Sequence, residues 1–265
     1  MTALTIVLTG ASGGIGSAVA KMMSAAGHRL ILVGRNPQPL NDLRDMLDGS
    51  ARHTTVVADL LQAADRKRLV TQCKQDCSKV DVLINNAGVS HFGLLENISD
   101  QAMADMLNTN VLAPVLIVRD LLPLLSRSSN ATIINIGSTF GSIGYPGFSG
   151  YSASKFALRG FTEALRRELA EQLITVHYLA PRAVDTPMNS ASVKALNAEL
   201  GNAMDPPEIV AAACHALLKA RDGRNRYLGW PERFFVRINA LIPALVDVTL
   251  RKQLRTIQKY SRPEA

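Results

Sequence analysis

Two hydrophobic rhythms alternate along the chain. Short β-branched runs read as buried strands: "LTIVLTG" at 4–10, "RLILVGR" at 29–35, "HTTVVADL" at 53–60, "VDVLINNAG" at 80–88, "ATIINIGS" at 131–138, "ITVHYLAP" at 174–181 and a short "RYLGW" at 226–230. Between them lie stretches whose apolar residues recur every three or four positions, the spacing of one helix face. Such stretches fall at 15–27, in "NPQPLNDLRDMLDG", near 62–78, at about 100–125 and around Tyr151. Strand–helix alternation of this length predicts an α/β fold, a doubly wound, mostly parallel seven-stranded sheet with helices on both faces. No linker or repeat interrupts it. Residues 1–230 read as one domain, and 231–265 as its C-terminal helical appendage.

The appendage has a pattern of its own. Phe234, Phe235, Ile238, Leu241, Ile242 and Leu245 recur at helical spacing, and Pro243 predicts a kink or a new helix start. Beyond it Val246, Leu250, Leu254 and Ile257 form one stripe, with Arg251, Arg255 and Lys259 beside it. Charge sharpens this picture. Residues 1–218 carry 18 Lys/Arg and 18 Asp/Glu, so the net charge of +7 arises from 219–265, with 11 basic and 4 acidic residues. Two readings follow. Residues 234–245 close an apolar pocket while 246–260 meet an anionic membrane surface or a partner; or the tail packs on the protein's own body or on a partner subunit and walls the pocket. Charge alone also allows nucleic acid, but no interleaving of aromatic and basic residues supports it, and none is expected.

Three cysteines (Cys73, Cys77 and Cys214) provide no disulfide framework, and Cys73 and Cys77 lack metal-ligand spacing, so no metal is expected. The start, "MTALTIVLTGASGG", has no basic region ahead of its apolar run and reads as a strand. No apolar run looks long enough to span a membrane. These features point to a reducing, cytoplasmic compartment, with peripheral membrane contact through 246–260 as the one qualification.

The candidate chemistry begins at "TGASGGIG", residues 9–16, between the first strand and the first helix. Gly10, Gly14 and Gly16 permit a tight turn and close approach to a pyrophosphate, with Ser12 and Ile15 between them; the helix start offers free N–H groups and a positive dipole end. At the end of the second strand, where NAD-preferring proteins carry an acid, the chain reads Val33-Gly34-Arg35-Asn36. Arg35 offers a planar cation suited to a 2′-phosphate, so NADP(H) is the expected cofactor. Further on, "YSASK" places Tyr151 and Lys155 one helical turn apart on the same face. A carbonyl accepting hydride becomes an alkoxide and needs a proton. Tyrosine can supply it, and a neighbouring ammonium is expected to lower the phenol's pKa. Ser138 ends the fifth strand, where its hydroxyl can polarise a carbonyl.

"TGASGGIG", "DL" at 59–60, "NNAG" at 85–88, Asn110 in "NTNVLAP", Ser138 in "NIGS" and "YSASK" together resemble the short-chain dehydrogenase/reductase family over about residues 3–230. The resemblance implies a Rossmann-like fold, a catalytic set of Asn110, Ser138, Tyr151 and Lys155, and an adenine pocket lined by Asp59 and Leu60. It implies that Asn86, Ala87 and Gly88 flank the cofactor ribose, that Lys155 also holds the nicotinamide ribose hydroxyls, and that Pro181 and Thr186 border the nicotinamide. It implies that Asn110 distorts its helix and holds a water in a proton relay behind Lys155. It further implies a homodimer or homotetramer built partly from helices near 100–125 and 150–170. One departure stands out: Arg182 follows Pro181 where the family usually has glycine, to contact an anionic substrate group or to face solvent. Residues 187–206 would form a short polar lid. The leading reading is an oxidoreductase interconverting a carbonyl and a secondary alcohol, on a hydrophobic or lipid-like small molecule. The alternatives are a catalytically silent NADP-binding regulator and a membrane-surface or partner-binding module on the same fold.

Overall fold

The computed structural model describes residues 3–261. Its order is β1 (Thr5–Thr9), α1 (Gly14–Ala25), β2 (Arg29–Gly34), α2 (Pro37–Asp45), β3 (Thr54–Val57), α3 (Ala63–Asp76), β4 (Val82–Asn85), α4 (Asp100–Leu107), a π-helical turn (Asn108–Leu112), α5 (Ala113–Leu125), β5 (Ala131–Ile136), α6 (Ser149–Glu168), β6 (Ile174–Ala180), α7 (Ala191–Glu199), α8 (Pro207–Leu217), β7 (Asn225–Tyr227), α9 (Glu232–Leu241) and α10 (Pro243–Ser261). The seven strands form one parallel sheet in the order β3-β2-β1-β4-β5-β6-β7. The order reverses between β1 and β4, which opens a crevice at the carboxyl ends of those strands.

Alternate residues of each strand feed opposite layers. Ile6 and Leu8 of β1 pack with Val19 and Met23 of α1, Leu40 of α2 and Val210 of α8. Val7 faces the other way, into a layer with Leu69 of α3, Ile117 and Leu121 of α5 and Leu165 of α6. Strands covered on both faces must be apolar throughout, which is why β1, β2 and β4 are near-continuous runs of Val, Ile and Leu.

Three expectations need correction. The helical stretch Asp100–Leu125 is, by length and composition, apolar enough to cross a membrane. Here its apolar face is the inner wall of a core layer, with Ile117, Val118, Leu121, Leu124 and Leu125 buried. The seventh strand stops at Tyr227 rather than 230. Gly229 turns away with φ +91°, and α9 begins directly after Pro231. The polar lid contains the helix α7, with Val193 and Leu196 buried.

A buried polar chain crosses the middle of the sheet. Asn85 Nδ2 donates to Asn135 Oδ1 at 2.8 Å, Asn135 Nδ2 donates to Thr162 Oγ1 at 2.9 Å, and Thr162 donates to the Leu158 carbonyl at 2.6 Å. It ties β4 and β5 to the helix that carries Tyr151. Asn135→Ala should destabilise the fold by about 1–3 kcal/mol, because the Asn85 amide loses its buried acceptor. Urea unfolding with unchanged m would show it.

Candidate active site

The crevice widens into a cavity of about 760 Å³. Its floor is the glycine-rich turn. Gly10 sits at φ +60°, and a Cβ there would stand 2.7 Å from Ala87 Cα. A Cβ on Gly14 would lie 2.8 Å from Thr186 Cγ2, and one on Gly16 would strike the Gly10 carbonyl. The glycines let three segments close up. Gly13 caps α1 without a side-chain hydrogen bond, so the first-turn N–H groups of this helix remain open to a ligand. Opposite, Thr9 Oγ1 accepts from the Asn86 and Ala87 N–H groups at 3.0 and 3.1 Å, and Asn86 Nδ2 donates to Gly10 O at 2.9 Å. Asn86 therefore clamps the end of β4 to the glycine turn.

Ser138, Tyr151 and Lys155 meet on the next wall. Ser138 leaves β5 and caps a short turn, its Oγ accepting the Phe140 N–H at 3.1 Å. Lys155 is buried; its Nζ donates to Ile136 O at 3.0 Å and lies 5.6 Å from the centroid of the Tyr151 ring. Asn110 sits in the π-helical turn and is buried, so the local distortion is present. Its Oδ1 accepts from Val89 N, and its Nδ2 donates to Val89 O and to Ser154 Oγ, all at 2.9 Å. A Cβ on Gly88 would lie 3.2 Å from Asn110 Oδ1 and 3.7 Å from Lys155 Nζ. Gly88 thus keeps the space between them open.

The electrostatics reverse one expectation. Burial pushes the Tyr151 phenol up to about 12, although contact with Ser138 pulls the other way. Burial also brings the Lys155 ammonium down to about 8. The low-polarity wall disfavours both charged forms. In this state Tyr151 is a neutral proton donor.

The outer walls come from α7, α9 and α10. Val193 and Leu196 of α7, Phe235 of α9, and Val246, Leu250 and Gln253 of α10 line the cavity. Tyr145 stacks on Phe140 at 4.8 Å between centroids and donates to Gln253 Oε1 at 3.1 Å. Phe148 lies 6.2 Å from the Tyr151 ring. The Val246–Ile257 stripe therefore faces the protein's own body, with Val246 and Ile257 buried. Arg182 borders the cavity and is partly exposed, with its guanidinium already engaged by carboxylates. It forms a two-point pair with Asp205 (2.9 and 2.5 Å) and lies 3.7 Å from Glu232, joining the end of the lid to the start of α9.

The family model described as short chain dehydrogenase matches residues 4–197. The chain belongs to that family. Among short-chain dehydrogenases and their relatives, an uncharacterized oxidoreductase, YxnA, of Bacillus subtilis (strain 168) is 32% identical over 267 residues, covering 97% of this chain and 74% of that protein. A short-chain dehydrogenase from Streptomyces avermitilis superimposes with a TM-score of 0.80 at 26% identity, covering 96% of this chain and 97% of the other. The NADP complex of Pseudomonas aeruginosa RhlG superimposes at 0.79 and 27% identity, covering 87% and 97%. Enzymes of this family use a nicotinamide cofactor.

For this short-chain dehydrogenase the cavity wall includes Gly10, Ser12, Gly14, Ile15, Asn86, Ala87, Gly88, Ser138, Tyr151, Lys155, Pro181 and Thr186. Gly16 and Asn110 stand behind it. Arg35, Asp59 and Leu60 are not in its lining and sit at or just beyond the carboxyl ends of β2 and β3; Arg35 is exposed, and Asp59 Oδ1 accepts the Leu61 N–H. Sequence reasoning missed Tyr178. This fully buried residue of β6 accepts the Ser138 N–H at 3.2 Å and donates to the carbonyls of Ser138 (3.1 Å) and Lys155 (3.4 Å). Gly137 and Gly141 have no Cβ because the Tyr178 side chain fills that space. The available signal was a tyrosine in a buried strand, with glycines at 137 and 141 just past the end of the neighbouring strand. Tyr178→Phe should lower kcat at least about tenfold, with the Km for the nicotinamide cofactor unchanged and stability reduced by about 1–3 kcal/mol. Steady-state kinetics and urea unfolding on the same preparation separate these effects.

Proposed function

We propose that this dehydrogenase uses NADP(H) to interconvert a hydrophobic ketone and its secondary alcohol. The carrying observation is the convergence of Ser138, neutral Tyr151 and Lys155 on one wall of an apolar cavity, with the glycine turn and the open start of α1 beside them. When bound, the cofactor supplies or accepts the hydride. In the reductive direction the Ser138 hydroxyl donates to the carbonyl oxygen and polarises it. Tyr151 gives its proton to the oxygen as the C–H bond forms, and the Lys155 ammonium stabilises the phenolate left behind. The proton is restored through Lys155 and the space that Gly88 leaves toward Asn110. The same steps in reverse oxidise the alcohol.

The choice of NADP(H) rests on Arg35, which has no ion-pair partner among the described residues, and on the absence of an acid at the end of β2. The similarity to an NADP complex of RhlG supports it. The hydrophobic substrate is read from Phe140, Phe148, Phe235, Val246 and Leu250 in the wall. Exposed Leu107, Leu112 and Phe156 on α4, the π turn and α6 support a homo-oligomer built on those helices.

Three outcomes test this reading. Arg35→Asp should weaken NADPH binding by about 1.5–3 kcal/mol and leave NADH binding almost unchanged; equal use of both cofactors by the wild type would contradict the choice. Tyr151→Phe should reduce turnover on the best substrate of an aliphatic, steroid and aromatic ketone panel by about 10²–10⁴-fold. NADPH should still quench or gain fluorescence at the wild-type concentration. Lys155 is cationic only below about 8. The kcat/Km for NADPH should therefore fall as pH rises through that value, and Lys155→Arg should move the fall to higher pH.

A further inference from the structure

The corner between α9 and α10 is apolar on both sides, and only one side is covered. Inward, Val236 and Val246 pack with Ile143, while Phe235 and Leu250 reach the cavity wall. Outward, Trp230, Phe234, Ile242, Leu245 and Val248 are each more than half exposed, and Leu241 is 81% exposed. A helix pair that is apolar all round is expected to be buried all round. We propose that this corner seats on an anionic lipid bilayer.

Charge selects the bilayer over other covers. Residues 233–261 contain six Lys or Arg and a single acid, Asp247. Arg233, Arg237, Arg251, Lys252 and Arg255 have no ion-pair partner among the described residues. Asp247 shares a shallow groove with Arg251, Gly144 and Pro146, about 120° around α10 from the middle of the Leu245–Val248–Lys252–Arg255 face. A second copy of this chain meeting the same face across a twofold axis would bring these cations against their own mates, which is repulsive. Anionic headgroups neutralise them.

The positions along the helices also fit an interface. Leu245, Val248, Lys252 and Arg255 share one face of α10 by their spacing. At about 1.5 Å per residue, Lys252 stands roughly 10 Å up the axis from Leu245, and Arg237 roughly 6 Å back from Leu241. An interfacial helix buries its apolar side about 5–10 Å deep, with cations at headgroup level. Trp230 lies 6.1 Å from Phe234, and Phe234 6.4 Å from Phe235, between ring centroids. These rings run from the exposed patch to the cavity wall, so a membrane-dissolved substrate would have an apolar path inward. That last clause rests on the proposed reaction; the bilayer contact does not.

Flotation of the full-length protein with phosphatidylglycerol–phosphatidylcholine vesicles, and with phosphatidylcholine alone, tests the contact. The protein should float with the anionic vesicles at low salt and be released as salt rises. Leu241→Glu with Ile242→Glu should cut partitioning by more than about tenfold, since two apolar side chains that the bilayer would cover are replaced by charges. Lys252→Glu with Arg255→Glu should weaken it and flatten its salt dependence. Unchanged thermal unfolding of both pairs would show that the fold is intact. Failure of the wild type to float with anionic vesicles at low salt overturns the proposal. So does flotation that the Leu241/Ile242 pair leaves unchanged, or a pair that instead splits an oligomer, which would make this face a subunit contact. NADPH oxidation on a water-soluble ketone should be unaffected by either pair, so a failed reaction and a failed membrane contact give different results.

Discussion

One hydroxyl, that of Tyr178, joins the two strand-and-helix segments that carry the candidate chemistry. It is buried, so its donor and acceptor must both be used within the protein. It accepts from the Ser138 backbone and donates toward the Ser138 and Lys155 carbonyls. The end of β5 and the second turn of α6 are thereby set relative to each other by a third element, β6. The glycines at 137 and 141 follow from the same constraint, because the ring occupies the volume that their side chains would need. Thr9 and Asn86 do the equivalent work on the other side of the crevice, where backbone amides of one strand end are satisfied by a side chain of its neighbour.

Burial that holds these groups also sets their proton affinities. Tyr151 and Lys155 are shifted toward their neutral forms by the same cause, loss of water around the charge. A phenol kept protonated is poised to give a proton, and an ammonium only weakly held can pass one on. Ser138 opposes the shift at Tyr151, so the serine has a second effect besides its contact with the carbonyl that the proposed reaction would place there.

Much of this was legible in the chain. Seven apolar runs alternating with helical spacing led to the parallel order, because buried parallel strands have few other compositions. The glycine turn and the Tyr151–Lys155 spacing were legible because local geometry alone demands those residue types. Other features depend on contacts between distant segments. Nothing near Arg182 in sequence indicates Asp205 as its partner, since the pair forms only once the lid folds back. Tyr178 reads as one more core residue until Ser138 and Gly141 are placed against it. In the tail, the period of the apolar residues correctly suggested two helices broken at Pro243, but Leu241, Leu245 and Val246 are equally apolar in sequence. Only packing distinguishes buried Val246 from its exposed neighbours. The raised phenol pKa was hidden for a related reason: proximity can be read from spacing, whereas dehydration cannot.

The second half of the lid is fastened at two points to the C-terminal helices. Arg182 links Asp205 to the start of α9, and Lys259 and Tyr260 of α10 both bond Glu199 at the end of α7. The first link is sheltered and the second stands in water, so dissolved ions screen them unequally. The lid is therefore held by a firm side and a soft side. The soft side lies at α10, the helix whose outer face carries the unpaired cations. Rising salt therefore loosens the lid at α10 before it loosens it at α9.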